Sequence, residues 1–234
     1  MSRPKRIILI RHGQSEGNVD EAIYATKPDY ALALTRQGHA EARRAGDELR
    51  AVVGRGSCFF YVSPMWRTRM TFEEITRAFA PRQYQFVEEP RLREQEWGHF
   101  KTKPMCDVIN DERDRYGTFY YRISDGESAA DVFDRVSDFL GTLHRDFEKR
   151  DYPDNAVIVT HGMTIRLFLM RWFHWSVEAF EELRNPKNCQ IVVMQRGRGR
   201  RYELIDTLQR RQPKHLYQRP LRLPVATRPS GARG

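Results

Sequence analysis

The stretch RIILIRHGQSEGN, residues 6–18, joins a short aliphatic run to an Arg-His-Gly turn. A continuous apolar run of this length, ended by a turn, predicts a buried strand over residues 7–10. In open α/β sheets, ligands bind outside the carboxyl ends of the strands. We therefore expect the guanidinium of Arg11 and the imidazole of His12 to face a ligand.

The size and composition of the chain predict one folded domain. Its 234 residues, 40% hydrophobic and 30% charged, suffice for one sizeable α/β core, which we place at residues 1–207. No apolar run approaches the roughly 20 residues of a membrane span, and the run at residues 7–10 is too short for a signal peptide. The three cysteines lack metal-ligand or disulfide spacing and are expected to be buried thiols. These features predict a cytoplasmic protein.

The net charge of +9 is concentrated at the C-terminus. Residues 208–234 contain seven Lys and Arg and no Asp or Glu, which leaves +2 on the rest of the chain. This proline-rich segment shows no periodicity, so we predict a disordered basic tail. A solvated tail is favoured over one that binds RNA, an acidic partner or a membrane surface, and no specific nucleic-acid partner is predicted.

Strand-like and helix-like runs alternate along the domain. This alternation predicts a three-layer α/β/α sandwich around a mostly parallel sheet. Helices are expected to begin at Thr35, at Ser63-Pro64, at a capping box of Ser124 and Glu127, and near Gly162. The predicted strands are residues 7–10, 59–62, 85–87, 156–159, 190–194 and 202–205.

Four strand ends carry a set of groups suited to one reaction. Arg11 and His12 follow the first strand, Arg67 lies one turn into the helix after the second, Glu94 follows the third, and His161 follows the fourth. A neutral imidazole can attack phosphorus and carry the phosphoryl group, while guanidinium groups stabilise the phosphoryl oxygens. A carboxylic acid can protonate the leaving alkoxide. We therefore predict phosphoryl transfer through a phosphohistidine.

The glycines and the helix starts fit the same interpretation. Gly13 and Gly162 are expected to let the backbone approach a phosphate, and a helix beginning near Gly162 aims N–H groups at it. No residue is assigned as a metal ligand, and no cofactor is expected.

The motifs resemble those of the histidine phosphatase superfamily, in the branch with cofactor-dependent phosphoglycerate mutases. RHGQSEGN resembles the signature R-H-G-x-S-x-x-N, and plant phosphoglycerate-mutase-like proteins are especially similar. Five further segments follow in the family's order: LTRQGHAEA, SPMWRTRMT, LREQEWG, GESAADVFDRV and VTHG. The resemblance implies a phosphorylated His12, His161 as the second histidine, Glu94 as proton donor and acceptor, and Arg11, Arg67 and Asn18 as phosphate ligands.

One segment departs from the mutases of this family. Residues 95–122, hereafter the insert, replace a mutase segment that resembles R-H-Y-G-x-L-x-G-x-N-K-x-E-T and holds the bisphosphate for a second transfer. Without its Asn-Lys pair we expect hydrolysis of phosphate monoesters. The insert also contains basic residues that either bind an anionic substrate or form a solvated charged face: Lys101, Lys103, Arg115 and Arg122.

Two other functions stay open at this stage. The first is a phosphoglycerate mutase that would need 2,3-bisphosphoglycerate, and the second is a non-catalytic module that holds a phosphorylated ligand. The expected substrate is a small phosphorylated molecule, or a phosphoprotein. The sequence makes no prediction of the oligomeric state. Arg166 lies in an apolar helix, where a structural ion pair is favoured over a role in the pocket.

Overall fold

A six-stranded mixed sheet forms the centre of the computed structural model, which describes residues 3–99, 101–199 and 201–211. The strands are β1 (Arg6–Arg11), β2 (Cys58–Val62), β3 (Tyr84–Glu88), β4 (Asn155–Thr160), β5 (Ile191–Arg196) and β6 (Tyr202–Leu204). Their order is β3-β2-β4-β1-β5-β6. The first four strands pair in parallel, while β5 and β6 run antiparallel at one edge. All six strands were predicted, with ends that differ by at most two residues.

Helices cover both faces of the sheet. They are α1 (Glu16–Val19), α2 (Arg36–Val53), α3 (Trp66–Thr76), α4 (Lys103–Tyr116), α5 (Ala129–Asp146), α6 (Gly162–Phe173) and α7 (Val177–Glu181). Successive side chains of a strand point to opposite faces. Ile7 and Leu9 accordingly join the core under α5 and α6, whereas Ile8 and Ile10 join the core under α2 and α3. This arrangement confirms the predicted three-layer sandwich.

The predicted start of α3 was wrong. The helix begins at Trp66 with Met65 as its N-cap, instead of at Ser63-Pro64. Ser63 is not available as a cap, because its N–H donates to Val159 O and its hydroxyl lies 2.8 Å from His161 Nε2. The residue after β2 thus continues the sheet edge before the helix starts.

The predicted start of α5 was also wrong, while that of α2 was confirmed. Ser128 caps α5 in a capping box with Asp131, four residues after the predicted cap at Ser124. The carboxylate of Glu127 is engaged by arginine side chains, so it does not cap the helix. At α2, the hydroxyl of Thr35 accepts from Gly38 N, as expected.

The C-terminal segment packs against the domain up to the last described residue. Leu208 is buried in the core, and the N–H of Arg211 donates to Glu182 O. Residues 208–211 of the predicted tail therefore contact the domain, and residues 212–234 lie outside the described residues. Cys58, Cys106 and Cys189 are buried free thiols. Among residues 3–99, 101–199 and 201–211, no helix has both the length and the hydropathy of a bilayer-spanning segment.

Candidate active site

The two predicted histidines meet at the carboxyl ends of β1 and β4. These strands are parallel neighbours, and the N–H of His12 donates to Thr160 O at 2.9 Å. The imidazole centroids of His12 and His161 lie 5.1 Å apart with ring planes 59° from parallel. Only 3% of His12 and none of His161 is exposed. The sheet topology therefore brings together two rings that are far apart in the sequence.

The surroundings of His12 keep its ring neutral and orient it. Burial, with the positive charges of Arg67 and Arg11, holds the pKa of His12 well below 6.5. Its Nδ1 lies 2.8 Å from Gly13 O. Because a carbonyl oxygen only accepts, Nδ1 carries the hydrogen and the lone pair is on Nε2. His12 thus presents an unprotonated Nε2.

His161 has a comparable environment with a different partner. Burial, the positive charge of Arg67 and the coupling to His12 hold its pKa well below 6.5. The Nε2 atom contacts Ser63 Oγ, and Nδ1 is buried without a hydrogen-bond partner among the described residues. Ser63 is a site residue that the sequence analysis missed. It follows a strand directly, so the strand-end argument that identified His12 also applies to it.

Both predicted arginines line the same cavity as His12. The guanidinium of Arg11 donates to Pro186 O at 2.7 Å, and burial lowers its pKa. Arg67, also buried, donates to Asp29 O and Oδ1 at 2.8 Å each. Asp29 begins a short 3-10 helix between α1 and α2 and belongs to no motif, so the sequence analysis missed this ion pair.

Asn18 lies in α1, next to the histidine strand end. Its Oδ1 accepts from Ser15 N at 3.1 Å and from Asn188 Nδ2 at 3.1 Å. The same Asn188 amide donates to His12 O at 3.0 Å, so it ties α1 to the end of β1. Asn188 is 170 residues from Asn18 and belongs to no motif, so the sequence analysis did not assign it.

Glu94 lies against the N-terminus of α6. Its Oε2 accepts from Met163 N at 3.2 Å, and its Oε1 accepts from Gln95 N at 3.1 Å and lies 3.3 Å from Thr164 Oγ1. Gly162 begins this helix, and a Cβ there would lie 2.7 Å from Asn185 Cγ. The structure thus gives a different reason for glycine at position 162, since Asn185 occupies the space that a side chain would need.

Gly13 also has a different neighbour from the one expected. A Cβ at this position would lie 2.5 Å from Gly38 O, in the first turn of α2. The missing side chain lets the start of α2 approach the loop after β1. The backbone N–H of Gly13 donates to Thr71 Oγ1 at 3.0 Å, which joins the same loop to α3.

An arginine on α5 holds the backbone that carries Glu94. The guanidinium of Arg135 donates to the carbonyl oxygens of Arg91, Arg93 and Glu94 at 2.7–3.0 Å. It also pairs with the carboxylate of Glu127. Burial raises the pKa of Glu127. The hydrogen bonds and the positive charge of Arg135 lower it by more, so the pKa of Glu127 is below its ordinary value. Arg135, which belongs to the GESAADVFDRV motif, therefore fixes the backbone that carries Glu94.

One cavity of about 980 Å³ is lined by five of the predicted site residues, Arg11, His12, Asn18, Arg67 and Glu94, whereas His161 and Gly162 do not line it. Nine Lys and Arg and five Asp and Glu line it, so the cavity is electropositive. Of the basic insert residues that the sequence analysis named, Lys101 lines the cavity. The other three form ion pairs with nearby carboxylates: Lys103 with Glu21 and Asp107, Arg115 with Asp111, and Arg122 with Asp131.

Known proteins with similar sequences include phosphatases and mutase-like proteins. Phosphoglycerate mutase-like protein AT74 of Arabidopsis thaliana is 49% identical over 86% of this chain and 68% of its own length. The broad-range acid phosphatase DET1 of Saccharomyces cerevisiae is 31% identical over 83% of this chain and 86% of its own. The predicted similarity to plant phosphoglycerate-mutase-like proteins is thus confirmed.

Solved structures show the same fold. A mycobacterial glucosyl-3-phosphoglycerate phosphatase in complex with VO3 has a TM-score of 0.70 at 20% identity, over 89% of this chain and all of that one. YhfR of Bacillus stearothermophilus has a TM-score of 0.68 at 20% identity, over 86% of this chain and 95% of that one. The family model for the histidine phosphatase superfamily (branch 1) matches residues 7–206, and this chain therefore belongs to that superfamily.

Proposed function

We propose that this protein hydrolyses small phosphate monoesters through a phosphohistidine on His12. The observation that carries the proposal is the pair of buried, neutral imidazoles in contact at two strand ends, where His12 shares one cavity with Arg11 and Arg67. The name of the yeast relative, a broad-range acid phosphatase, supports hydrolysis.

In the first step, His12 Nε2 attacks phosphorus and the bond from phosphorus to the leaving-group oxygen breaks. Glu94, protonated at this stage, gives its proton to the leaving alkoxide. The phosphorylated ring is positive, and its Nδ1–H donates to Gly13 O. In this proposal the phosphoryl oxygens are bound by Arg11, Arg67 and Asn18, by the N-terminus of α6 at Gly162, and by His161.

The second step transfers the phosphoryl group to water. The carboxylate of Glu94 takes a proton from the water, whose oxygen attacks phosphorus as the bond to Nε2 breaks. Inorganic phosphate leaves, the His12 ring is again neutral, and Glu94 is protonated for the next cycle. Water is the only co-substrate in this scheme.

The test is to trap the intermediate. Brief incubation with a 32P-labelled monoester should label the protein through a bond that acid cleaves and alkali does not, as expected for a phosphoramidate. The His12→Ala variant should take up no label. Label that persists in His12→Ala, or that is stable in acid, would contradict the assignment.

The two other functions are separated by a second measurement. Isomer exchange of phosphoglycerate, with and without added 2,3-bisphosphoglycerate, should be slower than phosphate release if the protein is a phosphatase. Exchange that the bisphosphate stimulates above the rate of hydrolysis would identify a mutase. Phosphate-ester binding without label, exchange or release would identify a binding module.

A further inference from the structure

We propose that Asp29 is a positioning residue, which holds one edge of the Arg67 guanidinium so that the other edge faces the transferred phosphoryl group. This inference rests on the proposed function, because it assigns a role at the same site. Asp29 belongs to no motif and follows no strand. It lies in residues 21–31, hereafter the wall segment, six residues of which line the cavity.

Asp29 occupies one edge of the Arg67 guanidinium. Arg67 Nη1 donates to Asp29 Oδ1 and to Asp29 O at 2.8 Å each, and Nη2 donates to Asp29 Oδ2 at 3.3 Å. A guanidinium carries its five N–H donors in a fixed planar fork. The two Nη atoms therefore bind the carboxylate as a bidentate pair, and such a pair fixes the direction in which the fork points.

The second edge of the fork, formed by Nε and Nη2, is left for a ligand. Within the described part of the chain, every hydrogen bond that the Arg67 side chain donates comes from Nη1 or Nη2. The further acceptor of Nη2 is Met65 Sδ at 3.5 Å, and a thioether sulfur accepts only weakly. Arg67 and Met65 both line the cavity. The second edge thus offers two donors that a phosphoryl oxygen can accept from.

Arg67 is connected to the loop that carries the nucleophile. Thr71 Oγ1 donates to Arg67 O at 2.7 Å and accepts from Gly13 N at 3.0 Å, and Gly13 directly follows His12. After burial, the charge of Arg67 is the largest cause of the lowered pKa of His12 and also of His161. In this proposal, a phosphoryl group on His12 Nε2 therefore lies within reach of the second edge.

The backbone around Asp29 anchors its carboxylate. Asp29 begins a 3-10 helix of three residues, and its carbonyl oxygen accepts from Leu32 N at 3.3 Å as well as from Arg67. Leu32 is fully buried, so the chain enters the core three residues after Asp29. The side chain of Asp29 is 22% exposed, whereas that of Arg67 is 4% exposed. The ion pair thus joins an anchored carboxylate to a buried guanidinium, and little side-chain entropy remains to be lost.

A carboxylate beside Arg67 could also act as a competitor of the phosphate, and this role has the opposite consequence. A competitor repels the phosphate and occupies its ligand, so removal of the Asp29 charge would tighten phosphate binding. Removal of a positioning residue weakens phosphate binding, because the fork loses its direction. The bidentate geometry favours positioning, since it leaves the second edge free. The sign of the change in affinity therefore separates the two roles.

The test measures the dissociation constant of inorganic phosphate by calorimetry, which requires no turnover. Asp29→Asn should raise this constant about 10-fold, since a charge-assisted contact to the anion is misdirected. Glu21→Gln is the matched control, because Glu21 lines the same cavity from the wall segment but pairs with Lys103. Its constant should change less than about 3-fold. An unchanged or lower constant in Asp29→Asn, or no phosphate binding by the wild-type protein, would overturn the proposal.

A double-variant cycle shows whether Asp29 acts through Arg67. Asp29→Asn should weaken phosphate binding less than about 2-fold in an Arg67→Gln background, because the group to be positioned is then absent. Equal losses in both backgrounds would contradict a positioning role.

Two further points keep the test decisive. If Asp29→Asn does not fold, Asp29→Glu keeps the charge but shifts the carboxylate by one methylene group, and phosphate binding should weaken at least about 3-fold. An unchanged dissociation constant in Asp29→Glu would then overturn the proposal. Weaker binding in the Asp29 variants without a labelled His12 would support the role of Asp29 although the proposed function fails. A labelled His12 with unchanged binding would support only the proposed function.

Discussion

Two ends of the cavity are built in different ways. The phosphate end is lined by Arg11, His12 and Arg67, and His161 contacts His12 there. The positions of these residues follow from adjacent parallel strands and the helix after β2. The other end, hereafter the arginine end, is lined by residues from α4, α6 and the C-terminal segment, namely Arg113, Arg166 and Arg211. The comparison shows that backbone pairing positions the first end, whereas side-chain packing between separate segments positions the second. We expect the phosphate end to serve every substrate alike, because it is proposed to bind the group that all of them share.

Replacement of the nucleophile should affect every substrate alike. His12→Ala removes the only proposed attacking atom, so kcat should fall about 10⁴-fold or more for alkyl and aryl esters. Release of inorganic phosphate in steady state measures this loss. A loss restricted to one ester class would show that the phosphate end also selects the alcohol, and would break the comparison.

Glu94 stands between the two ends, and its replacement should depend on the leaving group. Glu94→Gln should slow hydrolysis of alkyl phosphates by about 10²-fold to 10⁴-fold, because a poor leaving group needs the proton. For nitrophenyl phosphate, whose leaving group departs as an anion, the loss in the first step should be much smaller. Single-turnover kinetics measures that step. Equal losses for alkyl phosphates and nitrophenyl phosphate would argue against an acid role of Glu94.

The support behind Glu94 should matter for stability as well as activity. Arg135→Met leaves Glu127 without its main buried partner, and breaking such a pair costs about 3–5 kcal/mol of unfolding free energy. The double variant Arg135→Met/Glu127→Gln should lose less unfolding free energy than the two single variants lose together, since no buried charge is then unpaired. Urea denaturation measures these differences, and strict additivity would show that the pair is not coupled.

The smallest expected effect is in the pH dependence of stability. His12 and His161 have lowered pKa values in the folded protein, so the unfolded chain binds more protons below its ordinary pKa of about 6.5. Stability should therefore fall as the pH drops below about 6.5, with a slope of up to about 1.4 kcal/mol per pH unit for each histidine. The variant His12→Gln/His161→Gln should show a shallower slope. An unchanged slope would mean that the two rings titrate alike in the folded and the unfolded protein.

Much of the fold and of the phosphate end could be predicted from the sequence. Short apolar runs ended by turns identified β1, β2 and β4, because burial on both faces of a sheet requires such runs. The edge strands β3 and β6 were also predicted, although they are partly or largely exposed. The same rule placed Arg11, His12 and His161 at one edge, since the ends of neighbouring parallel strands lie side by side. Two helix starts were wrong because the polar groups of Ser63 and Glu127 have distant partners, and local capping rules do not include those partners.

The arginine end could not be predicted in this way. Of the four basic insert residues that the sequence singled out, Lys101 lines the cavity and the other three pair with surface carboxylates. Arg113, which was not assigned, also lines the cavity. Arg166, which was expected to form an ion pair, donates to the neutral acceptors Asn185 Oδ1 and Phe180 O. Which arginine of a helix faces a cavity depends on what packs against that helix. For Arg113 this includes Trp97 of the insert and, through electrostatic coupling, Arg211 almost a hundred residues away.

The sequence by itself therefore determined the strand positions, the family motifs and the groups that meet at the phosphate end. These features depend on local hydrophobic patterns and on the geometry of parallel pairing, and both can be recognised from short segments of the sequence. Only the tertiary structure decided the partners of His161 and Arg67, the support behind Glu94 and the residues of the arginine end. These depend on which distant side chains compete for each polar group, and that competition is settled only when the chain is packed.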